Sequence, residues 1–189
     1  NLYAIEVKIW QNHSISLSFT KRNIHFFSEA ALDKNMNSAI ISAIMVSAGS
    51  KLDFTILYRG ISKKYQSLSG NAFTESTTVT NENGIYSGLA IKPTSKVKIN
   101  FYCDLYSFPW LRYLKNAPMQ GIDFLFQLNY LPAKNQELLV KFRKESKSTG
   151  EFLSDNGQLV LATLSCLRIQ YSTQLGEKMK VLNRMEFVN

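Results

Sequence analysis

Apolar and polar residues alternate one by one along most of the chain, and the spacing typical of an amphipathic helix is scarce. Neighbouring side chains of a β-strand point to opposite faces, so this alternation predicts strands with one apolar and one polar face. The apolar positions of the clearest segment, 121–132, are Ile122, Phe124, Phe126, Leu128 and Tyr130. Clear alternation also marks 2–10, 13–22, 51–59, 96–106, 137–146 and 178–188. Weaker alternation at 38–48, 84–92 and 157–173 brings the predicted total to about ten strands.

The predicted connections alternate between short and long. The short connections are 11–12, 48–50, 93–95, 133–136 and 175–177. The long ones are 23–37, 60–83, 107–120 and 147–156. In an up-and-down meander every second connection lies at the same end, so one end would carry tight turns and the other long loops. Outer-membrane barrels have this arrangement, with strands of about 9–11 residues.

The sequence therefore predicts an all-β fold, an antiparallel up-and-down transmembrane β-barrel, with residues 1–189 forming part of a single barrel domain and no second domain. No apolar run reaches the roughly 20 residues of a membrane helix, which excludes a helical membrane span in this sequence. It does not exclude a membrane barrel, because alternation spreads the apolar residues of a strand over every second position. The same pattern also fits a soluble lipocalin-like barrel, whose apolar face would point inward around a ligand. The loop-length alternation and the polar strand faces favour the membrane barrel.

The chain is basic, with 22 Lys and Arg against 14 Asp and Glu, a net charge of +8. Six of the basic residues fall on polar strand faces: Lys8, Lys98, Lys141, Arg143, Arg168 and Arg184. A basic lumen attracts anions or nucleic acid, but such charges more commonly pair across strands with acids such as Asp104, Glu145 and Glu186. Nucleic acid is therefore not an expected partner of this part of the protein.

No catalytic or cofactor motif occurs, so we predict a non-enzymatic protein without cofactor. His13 and His25 have no Cys, Asp or Glu at metal-ligand spacing, so no metal site is expected. Cys103 lies on an apolar strand face and Cys166 on a polar one, which predicts two free thiols. The polar stretch 74–84 predicts an exposed loop with a turn at Asn83-Gly84.

The densest aromatic cluster is the predicted loop Phe108, Pro109, Trp110, Leu111, Arg112 and Tyr113. We take Phe108, Pro109, Trp110, Arg112 and Tyr113 as a candidate partner or interface loop. The alternative is structural, since aromatic residues form girdles that anchor barrels at the membrane interface or pack inside the barrel mouth.

Several stretches in fixed order resemble the β-barrel portion of large Bacteroidetes outer-membrane proteins of the helix-hairpin-helix, or competence-protein-like, family. The two most specific are Asn-Glu-Asn-Gly-Ile-Tyr at 81–86 and Phe-Pro-Trp-Leu-Arg-Tyr at 108–113. The supporting stretches include Phe-Ser-Glu-Ala-Ala at 27–31, Ala-Pro-Met-Gln-Gly at 117–121 and Phe-Arg-Lys-Glu at 142–145. The resemblance covers most of 25–146. The helix-hairpin-helix modules of the family have no counterpart here, so their DNA-binding role does not carry over.

The resemblance implies a scaffold or subunit of an envelope complex in the bacterial outer membrane, for protein assembly, export or DNA uptake. Its partners would be outer-membrane lipid and other outer-membrane or periplasmic proteins, and no small-molecule substrate is identified. The alternatives are a solute-transporting or pore-forming barrel, the soluble ligand-binding barrel and an outer-membrane enzyme. The resemblance also implies that strands are missing at both ends. These residues alone should then not insert stably, because lipid does not tolerate open strand edges.

Overall fold

The computed structural model describes residues 11–68, 70–152, 159–176 and 179–189, and there the chain forms a single antiparallel sheet of ten strands. The strands are β1 (Asn12–Lys21), β2 (Ile24–Asp33), β3 (Ser38–Ser47), β4 (Leu52–Ile61), β5 (Glu82–Thr94), β6 (Val97–Phe108), β7 (Met119–Tyr130), β8 (Gln136–Phe152), β9 (Leu159–Leu175) and β10 (Met179–Val188). Each strand pairs with its neighbours in sequence, which confirms the predicted all-β, up-and-down arrangement. The sheet is not closed, because β1 pairs only with β2 and β10 only with β9.

The strand register gathers the alternating residues onto two chemically different faces. Phe101 on β6 lies opposite Phe126 on β7, which lies opposite Phe142 on β8, within the apolar face. On the polar face, Arg59 on β4 lies opposite Gly84 on β5, which lies opposite Tyr106 on β6. The predicted assignment of side chains to two faces is therefore correct for these strands.

The apolar face is accessible to solvent in the described chain. Ile122 and Phe126, from the most regular segment, are 40% and 37% exposed. Other exposed residues of this face are Ile15, Leu17, Phe19, Ile44, Phe54, Ile56, Ile85, Leu105, Met185 and Phe187. Several rings on this face touch edge to face, as Phe101 and Phe124 do at 5.0 Å between centroids.

The prediction of a long connection at 23–37 is wrong. Residues 24–33 form β2, and only four residues, 34–37, join it to β3. Alternation is blurred there because Phe27 and Ala31 share the polar face with Glu29, while Ser28 lies on the apolar face. The carboxylate of Asp33 holds the turn by accepting hydrogen bonds from the backbone N–H groups at 35 and 37.

The remaining connections follow the predicted pattern with shifted bounds. Short turns at 48–51, 95–96 and 131–135 lie at one end of the sheet, and the longer connections 62–81 and 109–118 lie at the other. The turn 22–23, which joins β1 to β2 at the short-turn end, was not predicted. Residues 147–152, predicted as connection, extend β8, and Asn12, predicted in a turn, begins β1. The predicted strand 2–10 falls outside the described residues. Cys103 and Cys166 are free thiols on opposite faces, as predicted.

Residues 62–81, called the covering loop below, fold back over the polar face rather than away from the sheet. Tyr65 from this loop is buried against Ala39 on β3 and Ile61 on β4, and Val79 packs beside them. At the β1 edge of the sheet, Asn12 donates a hydrogen bond to the Gln66 carbonyl. The loop therefore spans the polar face from β1 to β5 and encloses the side chains beneath it.

Candidate functional site

The three largest fully buried side chains in the described chain are charged. Arg59 on β4 and Glu82 at the start of β5 are both 0% exposed, and Asp104 on β6 is 2% exposed. Arg59 Nε donates to Glu82 Oε1 at 2.6 Å, and Arg59 Nη1 donates to Asp104 Oδ1 at 2.9 Å. One guanidinium thus bridges two carboxylates on the strands that follow it. We call these three residues the ion network.

Glycine makes room for the guanidinium on the sheet side of the network. A Cβ atom added at Gly84 would lie 2.5 Å from Arg59 Cζ, closer than real Cβ contacts come. Gly121 on β7 has the same relation to Tyr106, whose ring atoms would lie 2.5 Å from an added Cβ. Glycine in these strands therefore permits close approach of a large polar side chain to the backbone.

The covering loop closes the network from the other side. Glu82 accepts hydrogen bonds from the backbone N–H groups of Glu75 at 3.0 Å and Ser76 at 3.1 Å. The ring of Phe73 lies against the Arg59 guanidinium, 5.6 Å from centroid to Cζ, and meets Tyr86 edge to face. Glu82 consequently ties the loop to the sheet while it neutralises Arg59.

A second group of charges continues across the polar face. Asp123 on β7 accepts hydrogen bonds from Tyr102 Oη at 2.8 Å and from Arg143 Nη2 at 2.9 Å. Glu145 on β8 accepts from Tyr106 Oη at 3.2 Å and pairs with a neighbouring lysine. Arg143–Asp123 joins β8 to β7 and is a cross-strand charge pair of the predicted kind, although the acids predicted as partners were Asp104, Glu145 and Glu186. Lys147 and Glu145 lie on the same strand.

Glu75 adds a third acid next to the network, from the covering loop. Its carboxyl group lies close enough to Asp104 to be affected by that charge, although the residue as a whole is exposed. Burial of the carboxyl raises the pKa of Glu75, and the negative charges of Asp104 and Asp123 raise it further, against the opposing effect of Arg59. Neighbouring carboxylates disfavour each other's charged form, so the protonation of Glu75 at this junction depends on pH.

The predicted candidate loop is split between a buried base and an exposed tip. Phe108 is the last residue of β6 and is buried, with the Arg112 guanidinium 4.2 Å above its ring. Pro109, Trp110 and Tyr113 are exposed, Trp110 to 54%. The structure therefore brings Phe108 and Arg112 together and presents the other three to solvent.

The covering loop holds this candidate loop in place. Asn81 both accepts a hydrogen bond from the Trp110 backbone N–H and donates one to its carbonyl. Lys63 Nζ lies 4.1 Å from the centroid of the Trp110 ring, and Arg112 Nη2 donates to Ser76 Oγ at 3.2 Å. The two longest described loops thus form one surface at this end of the sheet.

The prediction of an exposed loop at 74–84 is wrong in part. Ser76, Asn81 and Glu82 are buried, and Asn83-Gly84 lies within β5 instead of a turn. Polar residues are buried here because their hydrogen-bonding groups are satisfied by the ion network and the neighbouring loop. The sequence carried one signal for this, since Arg59 shares its face with two apolar residues, Leu57 and Ile61.

Neither a metal centre nor a membrane helix is found in the parts of the chain that the structure describes. No group of three or more His, Cys, Asp or Glu side chains there could hold a metal ion. No helix there is long and apolar enough to span a bilayer. The ion network links β4, β5, β6 and the covering loop, and one of its donors, Arg59 Nη2, is buried without a hydrogen-bond partner.

Comparisons with known proteins gave no match to the chain among protein-family models, curated proteins or solved structures. The family resemblance thus rests on the sequence stretches alone, of which those at 81–86 and 108–113 are the most specific. Both motifs lie at the junction of the covering loop with the candidate loop, where Asn81, Glu82 and Trp110 make the contacts described above.

Proposed function

We propose that the chain is part of a non-enzymatic outer-membrane β-barrel of the large Bacteroidetes helix-hairpin-helix type, acting as a scaffold or subunit of an envelope complex. One observation carries this proposal. The sheet exposes its apolar face, including Ile122 and Phe126, and buries charges on its polar face, including Arg59 and Glu82. A soluble protein has the opposite distribution, whereas a membrane barrel turns its apolar face to lipid and its polar face to the lumen.

The extent of the apolar face supports the same placement. It runs across the strands from Ile15 on β1 to Phe187 on β10 without a covering layer in the described chain. Soluble monomers rarely expose a contiguous apolar patch larger than a few hundred Å². A lipocalin-like barrel would turn these side chains inward, so their exposure favours lipid as the partner of this face.

The covering loop favours a scaffold over an open channel. It lies against the polar face, held by Glu82, by Phe73 against Arg59, and by Tyr65 against β3 and β4. In the proposed barrel this loop occupies part of the lumen, and the exposed residues Trp110 and Tyr113 form a partner surface at the loop end. A solute-transporting barrel is the second candidate, because the polar face of β8–β10 carries charged residues that the covering loop does not contact.

The membrane placement predicts that alternate side chains along β7 face lipid and the lumen, and this alternation can be measured. In the full-length protein, Cys103 and Cys166 are replaced by Ser, and a single nitroxide label is attached at one position from 122 to 129. Each labelled protein is reconstituted into phosphatidylcholine vesicles. Labels at 122, 124, 126 and 128 should collide with oxygen dissolved in lipid, and labels at 123, 125, 127 and 129 with a water-soluble nickel reagent or with neither. A matched series at the exposed positions 109, 110, 111, 113 and 114 should collide with the nickel reagent throughout.

Inaccessibility of positions 122 to 128 to both reagents would overturn the membrane placement, since it would put the apolar face in a protein core. The scaffold role is tested separately. Purification of the full-length protein in mild detergent should yield stable partners, and planar bilayers should show little ion conductance. High conductance together with the absence of partners would favour the solute-transporting barrel instead.

A further inference from the structure

A charged side chain interrupts the apolar face of the sheet on β8. Lys144 lies opposite Phe124 on β7 and Ser165 on β9. It is exposed, and among the described residues it makes no ion pair. Nearer the loop end of the sheet, Ser146 on β8 shares a hydrogen bond with Thr163 on β9 at 3.1 Å. We call Lys144, Ser146, Thr163 and Ser165 the outer patch.

The outer patch shows that the apolar surface begins at different levels on neighbouring strands. On β7 it begins at Ile122, which lies opposite Ser146 of the patch. On β8 it begins only at Phe142, which lies opposite Phe126. The loop-end edge of the apolar surface is therefore displaced toward the short-turn end between β7 and β8. Leu161 on β9 lies beyond this edge, as scattered apolar residues commonly do on protein surfaces.

The opposite edge of the apolar surface is displaced in the same direction. On β1 the apolar residues end at Phe19, and Lys21 follows on the same face. The register of β2 and β3 places Lys21 level with Phe54 on β4, where the apolar residues continue to Leu52. On β7 they continue farther, to Tyr130. Both edges thus move toward the short-turn end from β1 to β8.

The apolar surface is consequently an oblique band, and its slope can be compared with that of membrane strands. From Ile15 on β1 to Phe142 on β8 the loop-end edge shifts by about six residues, which at about 3.4 Å per residue and 4.8 Å between strands is a slope of roughly 30°. Strands of transmembrane barrels are tilted by about 35–45°, so a band parallel to the bilayer crosses them at a similar angle. On β7 the band is about 27 Å long, or about 22 Å high after such a tilt, near the 25 Å of membrane barrels.

The charges at the band edges complement lipid head groups. Lys21 and Lys144 each lie just beyond an edge, on the apolar face, where a long lysine side chain can reach toward anionic phosphate groups. Tyr130 and Tyr171, 39% and 40% exposed, lie level with each other near the short-turn edge, and tyrosine is enriched at membrane interfaces. All acidic residues with a defined register partner lie on the polar face instead: Glu29, Asp33, Asp53, Glu82, Asp104, Asp123, Glu137, Glu145 and Glu186.

We infer that this oblique band fixes how the sheet sits in a phospholipid bilayer, with the outer patch in the head-group layer at the loop end and Tyr130 and Tyr171 at the opposite interface. Lys144 therefore lies among lipid phosphates, although its register partner Phe124 lies in hydrocarbon. A charge at the interface costs far less than one at the bilayer midplane, which explains a lysine on this face. The inference rests on the proposed membrane function and adds the orientation of the sheet and the lipid groups that each edge contacts.

Register partners provide the sharpest test, because they lie side by side on the sheet but at different depths in an oblique band. The full-length protein, with Cys103 and Cys166 replaced by Ser, carries one nitroxide label at 124 or 144 and is reconstituted into phosphatidylcholine vesicles. The ratio of oxygen to nickel-reagent collisions should be severalfold higher at 124 than at 144. Labels at 126 and 142, which are register partners inside the band, are the matched control and should both favour oxygen.

The short-turn edge provides an independent contrast with the strand order reversed. A label at 54 on β4 should favour oxygen, whereas one at 21 on β1, at the same register level, should favour the nickel reagent. Equal ratios at 124 and 144, with oxygen favoured at both, would overturn the oblique placement and leave the membrane function standing. Inaccessibility of 126 and 142 to oxygen would instead remove the membrane placement together with this inference. Circular dichroism of each labelled protein verifies that the sheet is retained.

Discussion

The polar face of the sheet contains two charged regions with opposite designs. Between β4 and β6, Arg59, Glu82 and Asp104 are buried under the covering loop, and both carboxylates share one guanidinium. Between β8 and β10, Arg168 and Glu186 form a pair that is 33% and 36% exposed, with no loop above it among the described residues. Removing one partner should therefore lower the free energy of unfolding much more in the buried region than in the exposed one, because a buried charge left alone cannot be solvated by water.

The largest expected effect comes from removing the centre of the buried region. Arg59→Met leaves Glu82 and Asp104 buried without a cation, and we expect a loss of about 3–5 kcal/mol in the free energy of unfolding. Urea unfolding of the full-length protein in detergent, followed by tryptophan fluorescence, measures this loss. The matched variant Arg168→Met breaks an exposed pair and should change stability far less. Comparable losses in the two variants would remove the distinction between the regions.

A methyl group at Gly84 tests the close packing under Arg59. In Gly84→Ala the new Cβ meets the guanidinium at 2.5 Å, and the buried network cannot shift without losing hydrogen bonds. We expect a loss of about 1–3 kcal/mol in unfolding experiments. Gly88 lies on the same face of β5, where an added Cβ would meet the Tyr86 ring at 3.1 Å. Gly88→Ala should therefore cost less, and an equal cost would contradict this account of Gly84.

Asn81 links the covering loop to the candidate loop, and its removal tests whether the two act as one surface. Asn81→Ala deletes both hydrogen bonds to the Trp110 backbone, for an expected loss of about 1–2 kcal/mol. Trp10 is replaced by Phe in all variants, so that its fluorescence does not mask that of Trp110. In this background, Asn81→Ala should make the Trp110 fluorescence more easily quenched by iodide. Asn116→Ala, at an exposed position of the same 109–118 connection, serves as the control. Unchanged quenching in Asn81→Ala would show that Trp110 is held by other contacts.

The smallest expected effect is a dependence of loop docking on pH. Because the pKa of Glu75 is raised when the loop is docked, the docked state binds the proton more tightly than the free loop. The contribution of Glu75 to docking is thus complete below its free pKa of about 4.3. It is lost as the pH rises through the raised value.

Hydrogen exchange at the Ser76 amide, corrected for intrinsic rates, should accordingly quicken with rising pH across that window. Glu75→Gln stays neutral and should remove this part of the pH dependence. Glu137→Gln changes an acid on the polar face of β8 and should retain it. A pH profile unaltered by Glu75→Gln would exclude the Glu75–Asp104 contact as the cause.

Prediction from sequence succeeded where one face of a strand is uniformly apolar. Segment 121–132 was assigned to within two residues of β7, because five apolar residues at every second position leave little ambiguity. β2 was missed because apolar residues such as Phe27 also occupy its polar face, where Tyr65 and the small residues of β3 pack nearby. The candidate loop was located correctly in the chain, but its division into a buried Phe108 and an exposed Trp110 was not predictable.

The sequence by itself determined the class of fold, which side chains share a face of each alternating strand, and the free state of both cysteines. These properties are local, since a two-residue period is a property of the strand alone. Only the tertiary structure decided that the covering loop folds onto the polar face and that Arg59 bridges Glu82 and Asp104. Those contacts join residues 23 and 45 positions apart. They depend on register and on space left by Gly84, which no local pattern specifies.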